Sequence, residues 1–242
     1  MLSLIAIGAF AFTLFGGLFA LRFKDKLHLI LGLSAGLVVG VAFFELIPEA
    51  MELAGGSLSP SFISSLAALG FIAYLILDRF VSPHKHDEKD EHENSPAERD
   101  RGILGAGSLS LHSFIDGLTV GLAFQVSPAV GAIVAAAVLA HGFSDGINTV
   151  NLILKNTDNK KTAFRWLLAD AVAPVLGIIL SLFISLSERS LGIILALFAG
   201  FFLYIGASEL VPESHHKHPT FWTTAATILG MAIIFIVVSI AG

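Results

Sequence analysis

No cysteine occurs in the 242 residues, and charge is scarce: Asp, Glu, Lys and Arg together make up 14%. Without thiols the chain has no disulfides, no thiolate metal sites and no thiol redox chemistry. A water-facing globular surface carries roughly 25% charged residues, so the low charge excludes an ordinary cytosolic domain. It also excludes a nucleic-acid binder, which needs a strongly basic face. What is present is apolar: 55% hydrophobic residues, 20 Phe and 23 Gly, with a mean hydropathy of +0.83. That excludes a disordered chain and leaves a polytopic α-helical membrane protein. The apolar runs are too long and too uniform for the alternating strands of a β-barrel.

A membrane-crossing helix needs about 20 mainly apolar residues, and eight segments qualify, at approximately 1–21, 29–49, 60–80, 103–126, 128–151, 163–186, 190–211 and 220–241. Pro60, Pro128 and Pro219 open the third, fifth and eighth spans, and Gly55-Gly56 closes the second, which is ordinary helix punctuation. The first span has no basic leading region and no clear small-residue cleavage site, so it reads as retained rather than as a signal peptide. The whole chain, 1–242, is thus expected to form one transmembrane domain with a charged loop at 82–102.

Lys and Arg set the orientation. Arg22, Lys24 and Lys26 follow span one; Arg79, Lys85, Lys89, Arg99 and Arg101 follow span three. Lys155, Lys160, Lys161 and Arg165 follow span five, Lys217 follows span seven, and the opposite side holds Arg189. Both termini are therefore expected outside, in an integral protein of the cell (plasma) membrane. The loop after span three contains His84, His86 and His92 among carboxylates, and His215, His216 and His218 recur after span seven. Such a run is either a solvated linker or a loose holder of divalent cations.

An ionisable side chain near the bilayer centre costs about 2.5–3.5 kcal/mol on insertion scales and so demands a partner or a role. Span four contains His112 and Asp116, span five His141 and Asp145, and span six Asp170. Both intramembrane histidines stand four residues before an Asp, and positions i and i+4 share one helix face. A tight turn at Ser127-Pro128 makes spans four and five an antiparallel hairpin, placing His112 and His141 at nearly the same depth. The four side chains form an N2O2 set suited to zinc, iron(II), cobalt, cadmium or manganese. The alternative is a pair of His–Asp hydrogen bonds that merely staple two helices. Two identical His-x-x-x-Asp-Gly hexads at matching depth favour the metal site, and Gly117 and Gly146 permit close helix approach. Ser108, Asn148 and Asn151 extend the polar face as a stripe toward the cytoplasm. Asp170, one turn before Pro174, reads as a direct ligand, a water-mediated partner or a salt-bridge partner.

A second internal similarity links spans two and seven. Glu45-Leu46-Ile47-Pro48-Glu49 resembles Glu209-Leu210-Val211-Pro212-Glu213, and the charge-derived orientation puts them at opposite membrane faces. An inverted repeat leaves this pattern, with substrate bound at the midplane between its halves. The expected fold is therefore all-α, with eight transmembrane helices in a 3+2+3 inverted-repeat arrangement.

Leu111-His112-Ser113-Phe114-Ile115-Asp116-Gly117-Leu118, followed by the His141–Gly146 hexad, resembles the ZIP family of divalent-metal transporters across essentially the whole chain. The resemblance implies import of a divalent cation, zinc foremost, toward the cytosol, with His112, Asp116, His141 and Asp145 as ligands. It also implies that spans two and seven line the route. Glu45 and Glu209 in those spans, Asn148 on the polar stripe and Asp170 in span six are the candidate pathway or supporting residues. Some family members hold a second metal through an Asn, an acid and a Glu; Ser113, Gly142 and Ala173 stand there here, which implies one metal at a time. The expected partners are divalent cations and the lipid bilayer, with a homodimer as the candidate assembly, no nucleic acid and no resident cofactor. The competing reading is an intramembrane zinc-dependent hydrolase, which needs a group to stabilise developing charge that the sequence does not display. A metal-responsive receptor is a third.

Overall fold

An apolar run in lipid must satisfy its own backbone N–H and C=O groups, and the α-helix does so within one segment. The computed structural model describes residues 1–21, 28–81, 96–157, 159–215 and 221–241, with no strand among them. The helices are α1 (Leu2–Ala20), α2 (His28–Val41), α3 (Ile47–Leu53), α4 (Pro60–Val81), α5 (Pro96–Val126) and α6 (Pro128–Thr157). They continue with α7 (Lys160–Ser181), α8 (Glu188–Tyr204), α9 (Val211–His215) and α10 (Phe221–Ala241). One π-helical turn (Ala42–Leu46) joins α2 to α3, and another (Ile205–Leu210) joins α8 to α9. Among the described residues, eight segments are long and apolar enough to cross a membrane: α1, Leu31–Leu53, most of α4, Gly102–Val126, Pro128–Leu154, α7, Glu188–Leu210 and most of α10.

Several boundaries differ from the sequence reading. The second span runs on to Leu53, where Gly55 and Gly56 end it with φ of +53° and +73°, the left-handed region that glycine enters without steric cost. The sixth starts at Lys160 because the Asn159 side chain accepts from the Lys161 and Thr162 N–H groups at 3.0 and 3.1 Å, a helix N-cap. Residues 96–102 of the expected loop are helical, since Pro96 already opens α5, its fixed φ suiting the first helical position. His84, His86, His92, His216 and His218 lie outside the described residues, as do Arg22, Lys24, Lys26, Lys85, Lys89 and Lys217.

Each π-helical turn ends two residues before the repeated proline. Pro48 and Pro212 have no N–H, so the carbonyls four residues back lose their α-helical partner. The chain widens there: the Ile47 N–H reaches Ala42 O and the Val211 N–H reaches Gly206 O, five residues back.

The spans pack as two bundles. Spans one, four, five and six form one, with α1 on α6 and α7, and α5 on α6 and α7. Spans two, three, seven and eight form the other, with α2 on α10 and α4 on α8; α2 against α6 is the main contact between them. Glycines set the close approaches inside each bundle. A Cβ at Gly16 would strike the Phe143 carbonyl, and one at Gly146 the Thr13 carbonyl. In the second bundle, Gly36 lies on the Thr227 carbonyl and Gly200 on that of Ala67. Such backbone-to-backbone contact maximises packing where no hydrophobic difference from lipid exists.

Candidate metal centre

The α5–α6 hairpin turns at Ser127, whose hydroxyl accepts from the Val130 N–H at 3.1 Å. This brings the two hexads level, with the His112 and His141 ring centroids 5.6 Å apart. One ligand atom from each of His112, Asp116, His141 and Asp145 lies within 4.8 Å of the others, and all four residues are buried.

The distances show a shared set rather than two separate pairs. Asp116 Oδ2 lies 3.1 Å from His112 Nε2 on its own helix and 2.8 Å from His141 Nε2 on the neighbouring one. Asp145 Oδ2 is 3.8 Å from both Nε2 atoms. Zinc bonds of about 2.0–2.2 Å place tetrahedral ligands about 3.4 Å apart, so the four pair distances bracket that edge. The His141–Asp116 pair would open slightly around a cation, and the Asp145 pairs would close.

Hydrogen bonding orients the set. His141 lies 2.8 Å from the Ala137 carbonyl through Nδ1. A carbonyl can only accept, so Nδ1 carries the hydrogen and Nε2 faces the cluster, the arrangement in which a metal-binding imidazole is normally held. His112 Nδ1 and Nε2 and Asp145 Oδ2 are buried without a hydrogen-bond partner, as is the nearby Ser144 hydroxyl. Buried polar atoms left unpaired cost about 1–3 kcal/mol each. Two of them, His112 Nε2 and Asp145 Oδ2, face the cluster, and this fits a cation-binding role better than a staple, which would have paired them.

Asp170 is fully buried but stands outside the group of four. Ser113 Oγ donates to its Oδ1 at 2.7 Å and Thr149 Oγ1 to its Oδ2 at 2.9 Å. Span six thus grips spans four and five beside the ligands, through the residue next to His112 and the residue one turn after Asp145. Sequence reading missed Thr149, although its i+4 spacing from Asp145 was a usable signal. Glu45 is buried in the π-helical turn of span two, and Asn148 and Glu209 are half-buried. None of these three joins the group.

The hexad glycines do not bring spans four and five together. Gly117 docks on the Pro174 carbonyl of span six, and Gly146 on the Thr13 carbonyl of span one. Each ligand helix is therefore clamped from its outer side. From the other bundle, the Tyr74 ring meets His112 edge-on at 5.6 Å, and Phe202 meets His141 at 6.0 Å.

Residues 83–240 match a family described as ZIP zinc transporter. The chain is similar to the zinc transporter GufA of Myxococcus xanthus, 32% identical over 76% of this chain and 75% of that protein. It is also similar to the zinc transporter ZupT of Oceanobacillus iheyensis, 27% identical over 93% of this chain and 94% of that one. ZupT of Corynebacterium aurimucosum is 26% identical over 84% and 81% respectively.

Proposed function

The chain belongs to the ZIP zinc-transporter family, and on that premise we propose that it carries divalent transition-metal cations, zinc foremost, across the cell membrane into the cytosol. His112, Asp116, His141 and Asp145 bind the cation at the midplane. The observation that carries this reading is the convergence of four buried ligand atoms within 4.8 Å, two of which, His112 Nε2 and Asp145 Oδ2, make no hydrogen bond.

The chemistry follows from the ligand types. Two carboxylates offset the charge of a cation stripped of water, and two imidazoles supply borderline-soft nitrogen. No thiolate is present, since the chain has no Cys, which keeps affinity low enough for release. The proton between His141 Nε2 and Asp116 Oδ2 must leave as the cation arrives, because only deprotonated groups bind metal. Asp170 holds Ser113 and Thr149, and so the ligand helices, in register.

The proposal includes both termini outside, as the loop charges require, and the 3+2+3 inverted repeat. Packing supports the repeat. Exchanging span one with six, two with seven, three with eight and four with five converts the contact of one on five into six on four. It likewise converts two on eight into seven on three. Gly36 and Gly200 each precede their motif's Glu by nine residues, and each docks on its neighbour's backbone. Both motifs also carry a π-helical turn. The hydrolase reading gains no support, since the curated relatives are named as transporters.

The test is zinc uptake by proteoliposomes containing the full chain and an internal zinc-sensitive dye. His112→Ala and Asp145→Ala are expected to reduce uptake to background while the protein still reconstitutes. Replacing His84, His86 and His92 together should leave it largely intact. Normal uptake by either midplane variant overturns the site.

A further inference from the structure

Beside the carboxylates of the cluster lies a small cavity bounded by Ala9, Thr13, Ser113, Val138, Gly142 and Pro174, and by Asp116 and Asp145 themselves. Its volume, counted as space for the centre of a water-sized particle, is about 10 Å³. One water molecule needs about 10–15 Å³ on that measure and two to four polar partners. Polar partners are supplied by Thr13, Ser113, Asp116 and Asp145. Neither imidazole borders the space, so whatever occupies it meets the ligands from the carboxylate side.

Thr13 is the unexpected member. It is 2% exposed, in the middle of a helix whose other residues are apolar or glycine apart from Ser3 in the first turn. Burying a hydroxyl in such a helix costs free energy unless it has a partner. Its position is tightly determined, because its carbonyl abuts Gly146 and its Oγ1 lies 3.1 Å from where a Cβ on Gly142 would stand. Asp145 Oδ2, buried without a hydrogen-bond partner, belongs to a residue on the same wall.

We infer that this cavity holds one water molecule, positioned by the Thr13 hydroxyl, which serves as the fifth ligand of the cation held by His112, Asp116, His141 and Asp145. The inference rests on the metal-site reading above and adds to it a coordination number and a role for span one. The water itself takes part in no proton or electron transfer. The water enters as a neutral ligand and can leave as one, which eases exchange of the cation between its hydrated and protein-bound states.

The experiment reads the visible spectrum of Co²⁺ bound to the full chain in detergent, taking the component that His141→Ala removes. Five-coordinate Co²⁺ absorbs weakly, whereas four-coordinate tetrahedral Co²⁺ absorbs strongly. Gly142→Ala should fill the cavity, and its new methyl meets only the Thr13 hydroxyl within 4 Å, so no backbone has to move. It is expected to raise the absorption several-fold. Thr13→Val, which keeps the shape and removes the hydroxyl, should shift the spectrum in the same direction, and Thr13→Ser should restore the wild-type spectrum. If Gly142→Ala does not fold, the Thr13 pair decides alone. A wild-type spectrum indifferent to His141→Ala would overturn the underlying site. A His141-dependent spectrum unchanged by Gly142→Ala and Thr13→Val would overturn the water. Two His141-dependent Co²⁺ ions per chain would do so as well, by placing a cation where the water is assigned.

Discussion

The two four-helix bundles face the same lipid and solve it differently. Spans one, four, five and six keep α-helical backbone, Pro174 inside span six included, and bury many polar side chains, among them His112, Asp116, His141, Asp145, Asp170, Thr13 and Thr149. Spans two, three, seven and eight carry fewer buried polar side chains, with Glu45 buried and Tyr204 bonded to Asp78 at 2.8 Å. That bundle has the irregular backbone, in π-helical turns ahead of Pro48 and Pro212. In one bundle the proposed ligands stand on α-helices, so their geometry is held by helix packing. In the other the backbone itself is loosened, at the two places where the repeated motif lies. Between them Ser34 Oγ donates to the Ala140 carbonyl at 3.0 Å, and aromatic edges meet the two imidazoles. The backbone-to-backbone glycine contacts described above lie inside the bundles. A site that must both hold and release its cargo benefits from this contrast.

The contrast is sharpest for two acids that are both buried, Asp116 and Glu45. Asp116→Ala removes the carboxylate shared by both imidazoles, and uptake is expected to fall by about two orders of magnitude or more, beyond the 10–100-fold typical of groups that only support a ligand. Glu45→Gln, in the other bundle, should cost less than about tenfold. Equal losses in the same proteoliposome assay would erase the distinction between the bundles. Next in size is Asp170→Asn. An amide oxygen and an amide N–H cannot both accept, so either Ser113 or Thr149 loses its acceptor, and uptake is expected to drop about tenfold. An unchanged rate would show that span six does not position the ligands.

Stability measurements probe the glycine contacts. Gly146→Ala sets a methyl against the Thr13 carbonyl, and overpacking of this kind typically costs about 1–3 kcal/mol, read as a lower midpoint of thermal unfolding in detergent. Gly142→Ala, four residues earlier on the same helix, should cost clearly less, and an equal shift would mean the Gly146 contact is not tight. The smallest effect is expected from Ser34→Ala, which removes a hydrogen bond between the bundles worth about 1 kcal/mol. A loss well above that would make the bundle boundary as firm as the bundles themselves.

Local patterns determined much of this in advance. Eight apolar runs are legible because a membrane-spanning helix is a property of its own segment. The two hexads are legible because i and i+4 share a face whatever surrounds them, and the repeated Glu-Leu-x-Pro-Glu motif is legible as text. Tertiary structure decided what no single helix contains. Asp116 bridges both imidazoles because the hairpin sets the two helices at one depth and rotation. Asp170 became an acceptor for two hydroxyls because span six lies across both ligand helices. The hexad glycines turned outward, to spans six and one, since the inner faces were taken by the ligands. Thr13 had no sequence signal at all: a lone hydroxyl in the middle of an apolar helix makes no period, and its meaning comes only from the carboxylates that three-dimensional packing sets beside it.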